Sequence, residues 1–236
     1  MQDDKNAQTY ELIHEYRFTF LKEQISKLAI PTAAKVLDVG CYPPIILNFL
    51  KEKGFETYGI SSQHEQMQEK NIKVLNIETE RFPWKDNSFQ LVVMTEVIEH
   101  LPHSPLTVLK ELNRVLAPGG YMIITTPNAV KLHNRLRVLM GKSISFPVEQ
   151  LLTVSPGNGS LYHLHNREYT LSELETLLVL ADFEIFESRQ VCLYPPTRRK
   201  VRQEPLSAQA VKWAGYLGQQ LAPGFKDSLF VVARKK

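Results

Sequence analysis

The chain has 236 residues, of which 43% are hydrophobic and 22% are charged, and its formal net charge is +3 at pH 7. These values are typical of one globular α/β domain with a modest insertion, and they argue against global disorder. A net charge this small gives no reason by itself to expect nucleic acid or a membrane surface as the partner.

Three further features suggest a cellular setting. The cysteines, Cys41 and Cys192, lie far apart and form neither a disulfide framework nor a zinc pattern, which fits a reducing compartment. The N-terminal stretch MQDDKNAQTYELIHEY is polar and acidic, unlike a signal peptide. The sequence contains no run of about 18 apolar residues, so no membrane-spanning helix is expected. We therefore expect a cytoplasmic protein.

The first half of the chain alternates predicted strands and helices. An N-terminal helical segment occupies 1–30, and Pro31 ends it. Strands are predicted at 35–40, 56–60, 72–77, 89–94 and 121–125, and helices at 45–54, 63–70 and 105–116. The strand at 89–94 is almost entirely apolar, as expected for a strand buried on both faces of a parallel sheet. This alternation predicts a doubly wound, Rossmann-like α/β fold.

The second half is predicted to complete one domain over 1–236. A helix is expected at 128–140, and the Ser-, Gly- and Pro-rich stretch within 142–165 is expected to form a loop or lid. Thr170 and Glu173 have the spacing of a capping box at the start of a helix. Strands near 183–193 and 228–234 give a seven-stranded sheet, mostly parallel with an antiparallel last strand. The variable segment 197–222 begins with basic residues, for which a solvated face is favoured over contact with an acidic substrate.

Polar residues cluster where the predicted strands end. In an open parallel sheet, ligands bind at the carboxyl ends of the strands, near the point where the winding direction switches. The candidate residues at these ends are Asp38, Gly40, Cys41, Ser61, Ser62, Glu78, Thr79, Glu80, Thr95, Glu96, Glu99, His100 and Thr126 to Asn128.

Three segments at these strand ends carry a family resemblance. VLDVGC, NIETERFPWKDNSFQLVVMTEVIEHL and ELNRVLAPGGYMIITTPN resemble the class I S-adenosylmethionine-dependent methyltransferases over residues 35–128, and HNREYTLSELETLLVLADFEI continues it more weakly. The resemblance implies S-adenosylmethionine as cofactor. The residues it implies for cofactor binding are Asp38, Gly40, Cys41, Tyr42, Ser61, Ser62, Glu78, Thr79, Thr95 and Glu96. Phe82 and Trp84 are either neighbours of the adenine or core aromatics, and the core role is favoured.

The cofactor loop departs from the family pattern in two places. Tyr42 and Pro44 replace the second and third glycines of Asp-x-Gly-x-Gly-x-Gly. The loop therefore either strains the backbone at Tyr42 or takes another shape, and the second alternative is favoured. Ser61 stands where an Asp or Glu usually binds the ribose, and it offers a hydrogen bond without charge. These two departures leave weaker cofactor binding, or a decayed cofactor site, open as alternatives.

The segment Glu96-Val97-Ile98-Glu99-His100 suggests further chemistry. If it opens a helix, positions 96, 99 and 100 share one face. Two carboxylates and an imidazole can bind Mg, Mn or Zn, or can serve as acid and base, and we expect His100 and Glu99 to be the catalytic pair. The segment is similar to ubiquinone-pathway O-methyltransferases and small-RNA 2′-O-methyltransferases, where these positions hold a metal, and the latter imply His165 as a further ligand. Purely structural roles are the alternative.

The predicted function is an S-adenosylmethionine-dependent methyltransferase that modifies a small molecule or a glycan. One alternative is a catalytically impaired relative that serves as an interaction module. Another is a metal-assisted RNA 2′-O-methyltransferase, although the low net charge argues against a nucleic-acid partner. Neither the acceptor nor the oligomeric state is predicted by any motif.

Overall fold

The computed structural model describes residues 9–62, 71–145, 147–149, 164–196 and 205–236. Its centre is a seven-stranded sheet of order β3-β2-β1-β4-β5-β7-β6. Strand β7 is antiparallel to both of its neighbours, β5 and β6, and the other pairings are parallel. The predicted seven-stranded sheet with an antiparallel last strand is therefore confirmed. The strands are β1 (Lys35–Val39), β2 (Glu56–Ser61), β3 (Ile72–Val74), β4 (Phe89–Thr95), β5 (Leu116–Pro127), β6 (Phe183–Val191) and β7 (Ser228–Lys235).

Helices cover both faces of this sheet. They are α1 (Glu15–Lys27), α2 (Ile45–Glu52), α3 (Pro105–Val115), α4 (Leu132–Leu139), α5 (Leu171–Leu180) and α6 (Leu206–Gln219), with 3₁₀ turns at Ile98–His100 and Pro223–Phe225. Helices α3 and α5 pack on one face of the sheet, and α1 and α2 pack on the other. The interior of β4, from Leu91 to Met94, is fully buried between the two layers, as its apolar sequence predicts.

Two helix caps fix the chain near the carboxyl edge of the sheet. Ser104 caps α3, with Pro105 in the first turn, and Thr170 forms a reciprocal capping box with Glu173 at α5. The segment before Thr170 runs along the sheet edge, where the Arg167 amide donates to the Glu99 carbonyl at 3.2 Å. The predicted capping box is confirmed, and it anchors the segment that carries His165.

Several predicted boundaries were wrong. Strand β3 ends at Val74 because Asn76 turns the chain, donating its amide to Glu80 and accepting from the amide of Glu78. Strand β5 begins at Leu116, directly after α3, so the Pro-Gly-Gly sequence at 118–120 lies inside it. Helix α4 begins only at Leu132, because Asn128 donates hydrogen bonds to the backbone carbonyls of Lys226 and Asp227, just before β7.

Some predictions concern segments outside the described residues. These are the polar helix at 63–70, most of the 142–165 insert, and the basic residues Arg198, Arg199, Lys200 and Arg202. Among the helices that are described, none has the length and apolar character needed to cross a bilayer.

Candidate functional site at the carboxyl edge of the sheet

The loop after β1 folds back on β2. Gly40 has a φ of +78°, and a Cβ there would lie 2.5 Å from Cγ2 of Val97. The amides of Gly40 and Cys41 both donate to the carbonyl of Ile60, at 2.9 and 3.1 Å. Glycine is thus required by the backbone conformation and by the close approach of the chain that follows β4.

Asp38 and Tyr42 flank this glycine. The Asp38 side chain is buried at the end of β1, and loss of hydration raises the pKa of its carboxyl group to about 7. Outside glycine, the described residues with positive φ are Ala33, Asn87, Glu96 and Asp182. Tyr42 is not among them, so the tyrosine is accommodated in this loop without a left-handed backbone.

The residues after β2 and β3 are placed differently from one another. Ser61 is buried and Ser62 is exposed. The carboxylate of Glu78 accepts from the His103 amide at 3.0 Å, which ties the turn after β3 to the segment before α3. Thr79 is exposed. These positions line the same edge as Asp38 and Gly40, but Glu78 already has a structural partner.

Phe82 and Trp84 belong to the core. Phe82 is buried, and the Trp84 ring makes edge-to-face contacts with Tyr58, Phe82 and Phe89 at centroid distances of 5.3 to 6.4 Å. Edge-to-face packing of this kind is a favourable arrangement for aromatic rings in a core. The core role favoured from the sequence is therefore the one observed.

Glu96 does not belong to the turn that follows it. Its φ of +54° is left-handed, and the 3₁₀ turn includes only Ile98 to His100, so the predicted common helix face of 96, 99 and 100 is wrong. Its carboxylate accepts from Thr125 Oγ1 at 2.9 Å and from the Tyr194 hydroxyl at 2.8 Å. Thr95, the residue before it, is half-buried.

Arg17 completes this group, and sequence reasoning missed it. The arginine is buried in α1 and donates to the hydroxyls of Tyr194 at 3.0 Å and Tyr10 at 2.9 Å. Burial disfavours its charge, but Tyr194, Tyr10 and Glu96 outweigh burial and raise its pKa. The available signal was an arginine on the apolar stripe of a helix, next to Phe18 and four residues before Leu21.

A second polar group forms around Glu99, which is fully buried. Its Oε2 accepts from Thr126 Oγ1 at 2.9 Å, whereas Oε1 has no hydrogen-bond partner among the described residues and lies 3.9 Å from His100 Nε2. Burial, followed by repulsion from Glu96, raises its pKa well above the ordinary range. Glu99 thus directs an unpaired oxygen towards an imidazole.

The two histidines lie beside this oxygen. His100 Nδ1 is 3.0 Å from the Leu164 carbonyl, so Nδ1 carries the proton in the neutral ring and Nε2 is the basic nitrogen. The rings of His100 and His165 meet edge-to-face at 4.7 Å, and one ligand atom from each of Glu99, His100 and His165 lies within 4.8 Å of the others. Glu168 is 3.7 Å from His165 Nδ1 and links the group to Lys131.

Glu96 stays out of this group because of strand alternation. Thr125 and Thr126 are consecutive residues of β5, so their side chains point to opposite faces of the sheet. Glu96 bonds to Thr125, and Glu99 bonds to Thr126. The predicted ligand set of Glu96, Glu99, His100 and His165 is therefore divided, with three members together and Glu96 beside Tyr194 and Arg17.

The protein is an α/β fold whose polar groups lie at the switch point between β1 and β4, which is where open α/β sheets generally bind ligands. Residues 13–188 match the family described as the methyltransferase domain, and the chain belongs to that family.

Named relatives agree with this family. The chain is 27% identical over 154 residues to the ubiquinone biosynthesis O-methyltransferase of Aliivibrio fischeri strain MJ11, covering 61% of each protein. It therefore spans about three fifths of the length of that curated relative. Solved methyltransferases from Thermotoga maritima and Aquifex aeolicus, each 18% identical, superpose with TM-scores of 0.61 and 0.55, covering 100% of this chain and 97% of theirs. At this identity the structural likeness concerns the fold.

Proposed function

We propose that the chain transfers the methyl group of S-adenosylmethionine to an oxygen atom of a small-molecule or glycan acceptor. The observation that carries the proposal is the Glu99–His100 pair in the segment after β4, which also approaches Gly40 through Val97, at the switch point of a methyltransferase-family sheet. The name of the Aliivibrio fischeri relative supports oxygen as the methylated atom.

The edge has groups that suit each part of this cofactor. Asp38 is a buried carboxyl whose pKa is raised by the loss of hydration, which suits a ligand that carries a sulfonium and an ammonium. Arg17 and Glu96 offer opposite charges for the amino and carboxylate groups of the cofactor's methionine part. Ser61 would meet the ribose with a hydroxyl instead of a carboxylate, so we expect a weak grip there.

When bound, the cofactor supplies an electrophilic methyl group. The chain has to hold the acceptor oxygen in line with it, exclude water, and remove the acceptor's proton. His100 Nε2 is the proposed base, because the Nδ1 contact with Leu164 fixes the ring and leaves Nε2 to accept a proton. A positioned base of this kind contributes about 10²- to 10⁴-fold in rate. Glu99, whose Oε1 lies 3.9 Å from His100 Nε2, would help to orient the ring.

A divalent metal bound by Glu99, His100 and His165 is the second candidate for this edge. The favouring observation is the buried Glu99 Oε1, which has no hydrogen-bond partner within the described part of the chain. A set of one carboxylate and two imidazoles suits Zn²⁺ or Mn²⁺. Such an ion would polarise the acceptor oxygen, and His100 would then be a ligand instead of the base. Direct metal titration of the chelator-treated protein distinguishes the two roles. With a metal, Glu99→Gln should abolish binding and Glu96→Gln should retain it.

Calorimetric titration with S-adenosylhomocysteine, the demethylated cofactor, tests the main proposal. We expect weak binding by the parent chain and binding at least about tenfold tighter by Ser61→Asp, since a charged acceptor strengthens hydrogen bonds. Ser62→Asp places the same charge on the exposed neighbouring residue and should gain less. Absence of binding at millimolar ligand in all three proteins would overturn the proposal and favour the interaction-module alternative.

A further inference from the structure

Helices α4 and α6 are both oriented with their apolar sides towards solvent. In α4 the buried residue is the polar Asn134, while Leu136 and Leu139 are exposed, Leu139 by 82%. No residue of α6 is buried, and its exposed stripe contains Leu206, Trp213 and Leu217 at the spacing of one helix face. Amphipathic surface helices normally show the opposite orientation.

The two helices form one continuous surface. They pack against each other, and a Cβ added to Gly218 of α6 would lie 2.7 Å from Leu132 of α4. An apolar cavity of about 610 Å³ lies beside α4, lined mainly by aliphatic side chains of α4 together with Ile144 and Phe225. We refer to residues 129–145 and 205–226 as the α4–α6 face. An exposed apolar surface of this kind marks a docking site.

The charge of this face has a single sign. Its two segments contain six lysines and arginines and no aspartate or glutamate: Lys131, Arg135, Arg137, Lys142, Lys212 and Lys226. Lys131 is bonded to Glu168, and Arg135 donates to a backbone carbonyl. Lys142 and Lys212 are both exposed to solvent. A partner that fits this face therefore needs an apolar part for the exposed side chains and an anionic surface for the cations.

We propose that the α4–α6 face docks on the surface of an anionic lipid bilayer. An interfacial helix combines cations with Trp and Leu side chains, and the amphipathic rings of Trp213 and Tyr216 suit the headgroup layer. A second copy of the chain fits less well, because pairing this face with itself would bring cations against cations without an acidic partner.

Docking through this face would place the carboxyl edge of the sheet next to the bilayer. Helix α4 begins shortly after β5 ends, and Lys131 at its start is bonded to Glu168, which lies 3.7 Å from His165. An acceptor held in or near the lipid surface would then have a short path to the edge. This last consequence rests on the proposed methyltransferase function, whereas the docking itself does not.

Flotation of the full chain with lipid vesicles tests the proposal without any cofactor. We expect binding to phosphatidylcholine vesicles that contain phosphatidylglycerol, little binding to phosphatidylcholine alone, and release at high salt. Lys142→Gln and Lys212→Gln should each weaken binding by about fivefold, because each cation near an anionic surface contributes on the order of 1 kcal/mol.

Apolar variants provide the matched control. The double variant Leu139→Glu, Leu217→Glu should bind at least about tenfold more weakly, since it removes two inserted side chains. The control Val179→Glu, Leu180→Glu changes two exposed apolar residues of α5, away from this face, and should bind like the parent. All four positions are exposed, so both proteins should remain folded, which thermal unfolding can verify.

Three results would overturn the proposal. The first is absence of binding to anionic vesicles. The second is an equal loss of binding in the face variant and the α5 control. The third is a dimer in light scattering that Leu139→Glu, Leu217→Glu dissociates while vesicle binding is absent, which would assign the face to a second copy of the chain.

Discussion

Exchange of the buried Asp38 for asparagine should stabilise the protein at alkaline pH. The carboxyl group is 4% exposed, and burial raises its pKa from 3.8 to about 7. Below the unfolded pKa, both states carry the proton and pH has no effect through this group. Between the two values the unfolded chain releases its proton while the folded chain keeps it, so stability is lost as pH rises and stays low above the folded pKa.

The size of this loss follows from the difference between the two pKa values. A difference of about 3 units, at about 1.4 kcal/mol per unit, corresponds to a loss on the order of 4 kcal/mol. Asparagine has the same shape and does not ionise. Asp38→Asn should therefore have a stability similar to the parent near pH 4 and exceed it by up to about 4 kcal/mol near pH 8.

Urea unfolding without cofactor, at several pH values from about 4 to about 8, measures this difference. Asp182→Asn is the matched control, because Asp182 is exposed and its left-handed backbone suits asparagine equally well. That exchange should leave the pH dependence of the parent intact. If Asp38→Asn keeps the parent's pH profile, or is less stable than the parent at pH 8, the assigned electrostatic penalty is wrong.

Two further variants test the packing of the carboxyl edge by chemical denaturation. Gly40→Ala should lower the free energy of unfolding by about 1–3 kcal/mol, because of its positive φ and the contact with Val97, and adding Val97→Ala should recover part of the loss. If Gly40→Ala left the free energy of unfolding unchanged, the close approach of Val97 to position 40 would be contradicted. Tyr194→Phe should lower the free energy of unfolding by about 1–3 kcal/mol, because the lost hydroxyl links Arg17 to the carboxylate of Glu96. Tyr10→Phe removes only a hydrogen bond from Arg17, so it should lower the free energy of unfolding by less. An equal loss in both variants would argue against the link that Tyr194 makes between Arg17 and Glu96.

The carboxyl edge contains two polar networks that share one sheet. Arg17, Tyr194 and Glu96 form one, and Glu99 with His100 and His165 forms the other. Under the proposed function, the first network would hold charges for the cofactor's methionine part, and the second would supply a base or a metal site for the acceptor.

The sequence by itself determined the elements whose signals are local. The apolar run of β4 predicts a doubly buried strand, Thr170 and Glu173 predict a capping box, and the alternation of strands and helices predicts the sheet. Each of these depends on neighbouring residues, and each is confirmed. The sequence also placed Asp38 and Gly40 at the carboxyl edge of the sheet, because the carboxyl ends of parallel strands meet there.

Only the tertiary structure decided which of these polar residues act together. The left-handed backbone at Glu96 and the alternation of Thr125 and Thr126 separate Glu96 from Glu99, although their spacing predicts a common helix face. Arg17 joins Glu96 through Tyr194, a residue 177 positions further along the chain. Contacts between residues so distant in sequence arise from packing α1 against the sheet, and local patterns carry no record of them.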